Sequence, residues 1–283
     1  MYVDMGQLLA RAVAGGYAVG AFNIVNDLTA AAAIRAAEEL RSPIILQTSV
    51  STVKEIGAEH LIVLLSDLAK RATVPVAVHL DHCTDPALVR RCMDLGWSSV
   101  MIDRSKASFE ENIRTTREIV QEAQQKGVTV EGELGSIVGV EDDIVVSSGE
   151  EGLATPEGAE EFVRRTGVGA FAPAIGTAHG LYTGTPNVRF DLFDQIKRRV
   201  ACPLVVHGGT GLSEGVFRRL VAAGAAKINI STAIKIAYCE GMAEYTAAHT
   251  GENNPLRMDR FVAERVKACV GEHIHIFGSD QKA

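Results

Sequence analysis

Short apolar, β-branched runs alternate along the chain with longer amphipathic or alanine-rich stretches. The runs at 19–23, 43–47, 76–80, 99–103, 128–133, 170–175, 203–206 and 226–230 are predicted strands. Helices are predicted at 28–40, 57–70, 86–95, 109–126, 156–165, 190–200, 214–223 and 233–246, with a final helix at 258–270. Pro86 stands at a first helical position, where its missing N–H costs nothing. The stretch Gly135–Leu153 is polar and reads as one long loop. The strands are continuously apolar, which fits a sheet covered by helices on both faces. Eight strand–helix units of this kind predict an α/β (β/α)8 TIM barrel with an additional C-terminal helix, a single domain over residues 1–283. An open doubly wound sheet is the alternative. It would show a glycine-rich first turn, and Asn23-Ile24-Val25-Asn26 is not one.

The polar residues next to these strands collect at one end. Asn23, Ser49, Asp81, His82, Asp103, Glu133, His179, His207, Asn229 and Ser231 all stand at or just beyond C-terminal strand ends. Barrel enzymes carry their chemistry there. Three histidines, His82, His179 and His207, follow the third, sixth and seventh strands and can face one mouth. Each alone reads as a hydrogen-bonded core or loop histidine. Together they read as three ligands of a metal site with an open fourth position. His79 is expected on the opposite face from His82, because a strand has a period of two. The same parity separates Asp81 from His82, so both reach one site only if the chain is already turning there.

Glu133 reads either as a further ligand or as an acceptor for a histidine N–H, with a solvated strand end as the plain alternative. His207-Gly208-Gly209-Thr210-Gly211 offers successive backbone amides after the seventh strand. Asn229-Ile230-Ser231-Thr232 leads from the eighth strand into a helix. Loops at these two places form the usual phosphate site of such barrels.

Composition narrows the class. The chain has 283 residues, 47% hydrophobic and 22% charged, as an ordinary globular protein does. A formal net charge of −7 and the lack of a basic stripe argue against nucleic acid. The longest span without acidic or basic residues, Thr166–Val188, is broken by five glycines and two prolines, so no membrane span is expected. MYVDMGQLLARAVAGG lacks a basic stretch before an apolar run, so no signal peptide is expected. Five cysteines without a C-x-x-C pair fit small apolar filler in a reducing cytoplasm.

The set Asp81-His82, Glu131-Gly132-Glu133-Leu134-Gly135, Gly176-Thr177-Ala178-His179-Gly180, His207-Gly208-Gly209-Thr210-Gly211 and Lys227-Ile228-Asn229-Ile230 closely resembles the class II, zinc-dependent fructose-/tagatose-bisphosphate aldolases. The resemblance runs through the chain to Phe277-Gly278-Ser279. It implies reversible cleavage of a phosphorylated ketose to dihydroxyacetone phosphate and an aldehyde such as glyceraldehyde 3-phosphate. It further implies Zn2+ on His82, His179 and His207, with Glu133 a ligand in an alternative metal position, and Asp81 as the base at the C4 hydroxyl. By the same resemblance Glu141, in a mobile loop, acts at C3, and Asn229 holds the enediolate. Gly180, Gly208, Gly209, Thr210, Ser231 and Thr232 would surround the phosphate, a sodium or potassium ion would sit there, and Asn23 and Ser49 would line the pocket. A homo-oligomer, dimer or tetramer, is implied as well.

One stretch departs from the family pattern. Where bisphosphate-specific members carry Asp-Pro-Arg, supplied by a neighbouring subunit to the second phosphate, this chain reads Asn254-Pro255-Leu256-Arg257. Arg257 or Arg260 is the candidate for the far end, and a ketose 1-phosphate without a second phosphate is the alternative substrate. Two readings of other classes stand beside these: a zinc hydrolase on the same barrel, and a non-catalytic partner subunit. The first usually shows H-x-H on its first strand, which here ends in Phe22-Asn23. The second should have lost its ligands.

Overall fold

The computed structural model of the chain describes residues 1–135, 137–141, 144–146, 152–180 and 187–283, with the backbone alone for 138–141 and 144–146. In chain order the first strands are β1 (Val19–Asn23), β2 (Ile44–Thr48), β3 (Val76–Cys83), β4 (Ser99–Ile102) and β5 (Thr129–Leu134). They are followed by β6 (Val138–Glu141), β7 (Ile144–Val146), β8 (Ala170–Pro173), β9 (Ala178–His179), β10 (Leu204–Val206) and β11 (Ala225–Ile230). Eight of these close a barrel in the order β1-β11-β10-β8-β5-β4-β3-β2, every pair parallel. The predicted barrel is therefore present, closed by the pairing of Val19 with Lys227. The remaining three strands form a small sheet, β7-β6-β9, drawn from the chain between β5 and β10.

The helices begin with α1 (Met5–Gly15), α2 (Asp27–Leu40), α3 (Val50–Ile56), α4 (Ala58–Arg71), α5 (Pro86–Leu95) and α6 (Phe109–Gln124). The rest are α7 (Pro156–Thr166), α8 (Phe190–Arg199), α9 (Glu214–Ala222), α10 (Thr232–Ala248) and α11 (Pro255–Phe277). The additional C-terminal helix is α11, longer than the apolar pattern at 258–270 predicts, because Asn254 caps it and Pro255 opens it. No described helix is long and apolar enough to cross a membrane.

Strand residues divide by parity between two cores. Val76, Val78 and Leu80 belong with the helices in one core, whereas Ala77 joins Val19, Ala21, Ile45, Ala170, Ala172, Val205 and Ala226 inside the barrel. That inner layer of small side chains is stopped at its base by Met5, Leu8, Leu9 and Ala12 of α1. Above it the same inward rows continue with polar groups: Asn23, Gln47, His79, Asp81, Glu131, Glu133 and Asn229. A dry lower layer and a polar upper layer thus place the chemistry at one mouth.

Several expectations need correction. Helix α1 is present where only a leader was considered, although Met5, Leu8, Leu9 and Ala12 already carry helical spacing. The segment predicted as one helix from Gly57 starts at Ala58, and a separate short α3 precedes it. Within the long loop predicted at 135–153, the described backbone pairs as the antiparallel β6–β7 hairpin, and β6 also pairs with β9 beside His179. His79 is not turned away from the site side. It lies inside the barrel with its Nε2 3.6 Å from Glu131 Oε2.

Candidate active site

His82 reaches the mouth because β3 breaks its own period. The pairing of β3 with β4 shifts register between Leu80 and Cys83, and His82 adopts φ 41°. A bulge of this kind inserts one residue and re-aims side chains. Asp81 keeps the inward parity of Ala77 and His79, and the left-handed turn at His82 brings its ring to the same side. This is the turn that the adjacent Asp81 and His82 require. A second bulge, in β11, pairs Leu204 with Ala225 but Val205 with Lys227, so Ala226 is the extra residue and Lys227 and Asn229 both face inward.

The three histidines meet. Their ring nitrogens lie within 4.8 Å of one another, contributed by β3, β9 and the residue after β10. His82 and His207 rings are 4.5 Å apart between centroids, and His82 and His179 are 5.0 Å apart. His207 Nδ1 lies 2.7 Å from His82 Nε2 and 3.4 Å from Glu133 Oε2. The far nitrogen of each of these two rings is engaged by a carboxylate: His82 Nδ1 with Asp103 Oδ2 at 3.0 Å, His207 Nε2 with Glu131 Oε1 at 2.7 Å. Carboxylates behind imidazoles fix ring and tautomer in metal sites. His82, Asp103 and Glu133 form a second overlapping group able to hold a cation, and no described donor reaches Glu133 Oε2 at hydrogen-bond geometry. Imidazole nitrogens, buried acidic side chains and a Glu133 oxygen without a described hydrogen-bond donor, all at one point, fit Zn2+.

Electrostatics follow from this packing. Burial opposes charge on His82, but the Asp81 carboxylate and the Asp103 hydrogen bond outweigh it and hold its pKa well above the ordinary histidine value. His207 goes the other way, to about 4, through burial and then the charge of His82. Burial and the Asp103 charge push Glu133 well above the ordinary carboxyl range. For Glu131 burial acts upward, yet the Lys227 ammonium and the His207 hydrogen bond win and hold it well below that range.

Asp81 is buried beside the histidine cluster. Asn23 Nδ2 donates to its Oδ2 at 3.1 Å, and Asn229 Nδ2 approaches its Oδ1 at 3.5 Å. Gln47 Nε2 in turn donates to Asn23 Oδ1 at 2.7 Å. Ser49 stands at the end of β2 as the cap of α3, its Oγ accepting from Thr52 N.

The loops after β10 and β11 are joined. Gly208 has φ 68°, and a Cβ on it would fall 2.4 Å from Ala178 O. One on Gly209 would fall 2.6 Å from Asn229 O. Only glycine lets this loop pass between the His179 strand and β11. Thr210 Oγ1 accepts from Ala233 N at 3.3 Å, and Ser231 and Thr232 begin α10 with Ser231 Oγ buried and without a described partner. Gly180 lies directly after β9 with φ 83°. Glu141 ends β6, and its side chain falls outside the described residues.

Arg257 and Arg260 are not brought to the strand-end cluster by any described contact. Both lie on the exposed start of α11, and Arg257 Nη1 pairs with Glu252 Oε2 at 2.9 Å. Conversely, the structure adds residues to which the sequence reading gave no role. Asp103, expected only as one polar residue at a strand end, proves to be the partner of His82 Nδ1. Glu131 shares its inward parity with Glu133, and Lys227 is fully buried against Glu131.

Comparison with known proteins gives a consistent picture. The family model described as fructose-bisphosphate aldolase class-II matches residues 3–282. A fructose-bisphosphate aldolase of Geobacillus stearothermophilus is 39% identical, covering 99% of this chain and 98% of that protein. The D-tagatose-1,6-bisphosphate aldolase subunit GatY of Klebsiella oxytoca is 38% identical over 98% of each. A sulfofructosephosphate aldolase of Alkalicoccus urumqiensis is 37% identical over 100% of this chain and 98% of its own length. Among solved structures, the YdjI aldolase of Escherichia coli K12 superposes with a TM-score of 0.88 at 33% identity, each chain covered completely.

Proposed function

The chain belongs to the class II fructose-bisphosphate aldolase family, which makes it a metal-dependent carbon–carbon lyase, and we propose that its substrate is a ketose of the fructose or tagatose 1,6-bisphosphate type. Cleavage then gives dihydroxyacetone phosphate and glyceraldehyde 3-phosphate. The observation that carries the reading is the convergence of His82, His179 and His207 beside a buried Asp81.

His82, His179 and His207 would hold the Zn2+ that the family depends on, with Glu133 the ligand of an alternative position. When bound, the ion supplies Lewis-acid polarisation of the ketose carbonyl. The remaining work belongs to the chain. Asp81, steadied by Asn23, takes the proton of the C4 hydroxyl as the C3–C4 electron pair passes to C3. Asn229 Nδ2 donates toward the oxygen on which charge collects. Glu141 then moves a proton at C3. Gly180, Gly208, Gly209, Thr210, Ser231 and Thr232 surround the phosphate, where buried Ser231 Oγ and the amides of the β10 loop suit an anion. Asn23 and Ser49 line the pocket. Family resemblance also supports a sodium or potassium ion beside the phosphate, a dimer or tetramer, one domain over 1–283 and a cytoplasmic setting.

A second reading, a ketose 1-phosphate without the second phosphate, has its own support. Asn254 Oδ1 is used in capping α11, accepting from Leu256 N at 3.1 Å, and Arg257 is engaged by Glu252. One relative is named for a sulfonated substrate. The deciding experiment offers the zinc-loaded protein fructose 1,6-bisphosphate, tagatose 1,6-bisphosphate, and ketose 1-phosphates ending in a hydroxyl, carboxylate or sulfonate. Dihydroxyacetone phosphate released fastest from a bisphosphate supports the first reading. Faster release from a singly phosphorylated ketose supports the second. No release from any of them sinks both.

A further inference from the structure

We infer that Lys227 is a positioning residue for two working groups at once, orienting His207 through Glu131 and Asn229 directly. Its Nζ lies 2.9 Å from Glu131 Oε2 and 2.8 Å from Asn229 Oδ1, and neither Lys227 nor Glu131 has any exposed surface. The inference rests on the roles proposed above for His207 and Asn229.

Donor and acceptor chemistry fixes both orientations. An ammonium has three donors and no acceptor, so the Asn229 atom facing it must be the oxygen. That turns Nδ2 to the opposite side, toward the acceptor-only carboxylate of Asp81, 3.5 Å away. A flipped amide would set NH2 against NH3+ and oxygen against carboxylate, two repulsions in a dry site. The second route starts at Glu131. Its Oε2 takes the ammonium, which leaves Oε1 to accept from His207 Nε2 at 2.7 Å. A histidine whose Nε2 carries the hydrogen keeps its lone pair on Nδ1, the nitrogen that faces His82 and Glu133. Lys227 is therefore what allows an ionised Glu131 to stand buried behind a ligand.

The backbone is built to place it. A regular β11 would turn Lys227 outward whenever Ala226 faces the barrel, and the bulge between them turns both inward. A buried ion pair is poor value for stability alone, since an apolar pair of similar volume does as well or better. Its retention at this spot fits a positioning task. His79, 3.6 Å from Glu131 Oε2 and held by Ser99 Oγ at 2.9 Å, closes the cluster from β3.

The test compares the zinc-loaded parent with Lys227→Met, Glu131→Gln and the double variant, measuring zinc affinity by chelator competition, and kcat and KM at saturating zinc on the best substrate. Lys227→Met should bind zinc at least about 10-fold more weakly. It should also lose kcat about 100-fold with KM nearly unchanged, because the phosphate contacts are untouched. Glu131→Gln should lose zinc affinity similarly but keep more of its kcat, since Lys227 still holds Asn229. The double variant removes the buried pair as a unit and stays folded where Lys227→Met fails. It should show the zinc affinity of Glu131→Gln and the kcat of Lys227→Met, since Asn229 is again unheld. Zinc affinity and kcat both within about twofold of the parent, in either variant lacking Lys227, overturn the inference, a margin well inside the losses argued above. A parent that binds zinc yet cleaves no ketose phosphate overturns the functional reading instead, and the zinc measurements still decide the His207 route.

Discussion

His207 Nδ1 lies 2.7 Å from His82 Nε2, although 125 residues separate the two rings in sequence. At that distance one nitrogen donates and the other accepts. The surroundings decide which. His82 faces Asp81 and Asp103 and keeps both its protons, whereas His207 is held neutral, with a pKa lowered to about 4 by burial and the nearby His82 charge. His82 thus donates through Nε2 and His207 accepts on Nδ1, with the His207 Nε2 hydrogen passed to Glu131. A proton thus sits between two rings proposed above as metal ligands.

Zinc must therefore displace a proton. Because the His82 pKa is raised well above 6.5, the ring is protonated in the metal-free protein at neutral pH. Binding should release about one proton there, and apparent zinc affinity should fall about tenfold for each unit that pH drops while His82 is protonated. Above the raised pKa the dependence should flatten. Calorimetric titration of the metal-free protein in buffers of different ionisation enthalpy reads the proton directly. A proton count near zero at pH 7 would remove the picture of a cationic His82.

Asp103 should matter to metal affinity more than to chemistry. It accepts from His82 Nδ1 at 3.0 Å and is itself held by Ser105 N at 3.0 Å and Ser105 Oγ at 2.7 Å. Asp103→Ala should weaken zinc binding about 10- to 100-fold, with Asp103→Asn recovering part of it through its remaining oxygen. Chelator competition gives the affinity, and kcat at saturating zinc should change far less. A large kcat loss with unchanged zinc affinity would place Asp103 elsewhere in the reaction.

Asp81→Ala should do the reverse. The carboxylate lies against Asn23 and Asn229 and is outside both groups able to hold the cation. Turnover should drop about 1,000-fold, the scale of a lost general base. Zinc content measured on the purified variant should stay near the parent's, since losing the carboxylate also loosens the competing proton on His82. Near-normal cleavage by this variant would end its assignment as base.

Much of this was legible beforehand, for a physical reason. Strands buried on both faces must be continuously apolar, so a polar residue such as Asp81, His207 or Asn229 at a strand end stands out against them. Parity was the weak point. A period of two sends Asp81 and His82 to opposite faces and Ala226 and Lys227 likewise, and both pairs share the interior because of bulges that the sequence does not announce. The same rule puts His79 on the face opposite His82, whereas the row of Ala77 and His79 is the inward one. Glu131 could have been found from its spacing with Glu133. Its partner Lys227 could not, because pairing across the barrel depends on which strands close it.

Gly208 provides a test of how tightly the loops after β10 and β11 and the three-histidine cluster are joined. Its φ is 68°, and a Cβ there would meet Ala178 O at 2.4 Å and Ala178 C at 2.7 Å, both backbone atoms that cannot swing aside. Gly127 has nearly the same backbone, φ 66°, with nothing within 4 Å of its Cβ position. Gly127→Ala should therefore cost only the left-handed strain, about 1 kcal/mol. Gly208→Ala adds the clash and should cost about 2 kcal/mol or more, lowering Tm by about 5 °C. Ala178 precedes His179 in β9, so relieving the clash moves a proposed ligand, and zinc affinity should fall in Gly208→Ala but not in Gly127→Ala. Thermal unfolding and chelator competition on the two variants separate strain from crowding. Equal Tm losses with zinc affinity preserved in both would show that the close approach of Gly208 to Ala178 does not position His179.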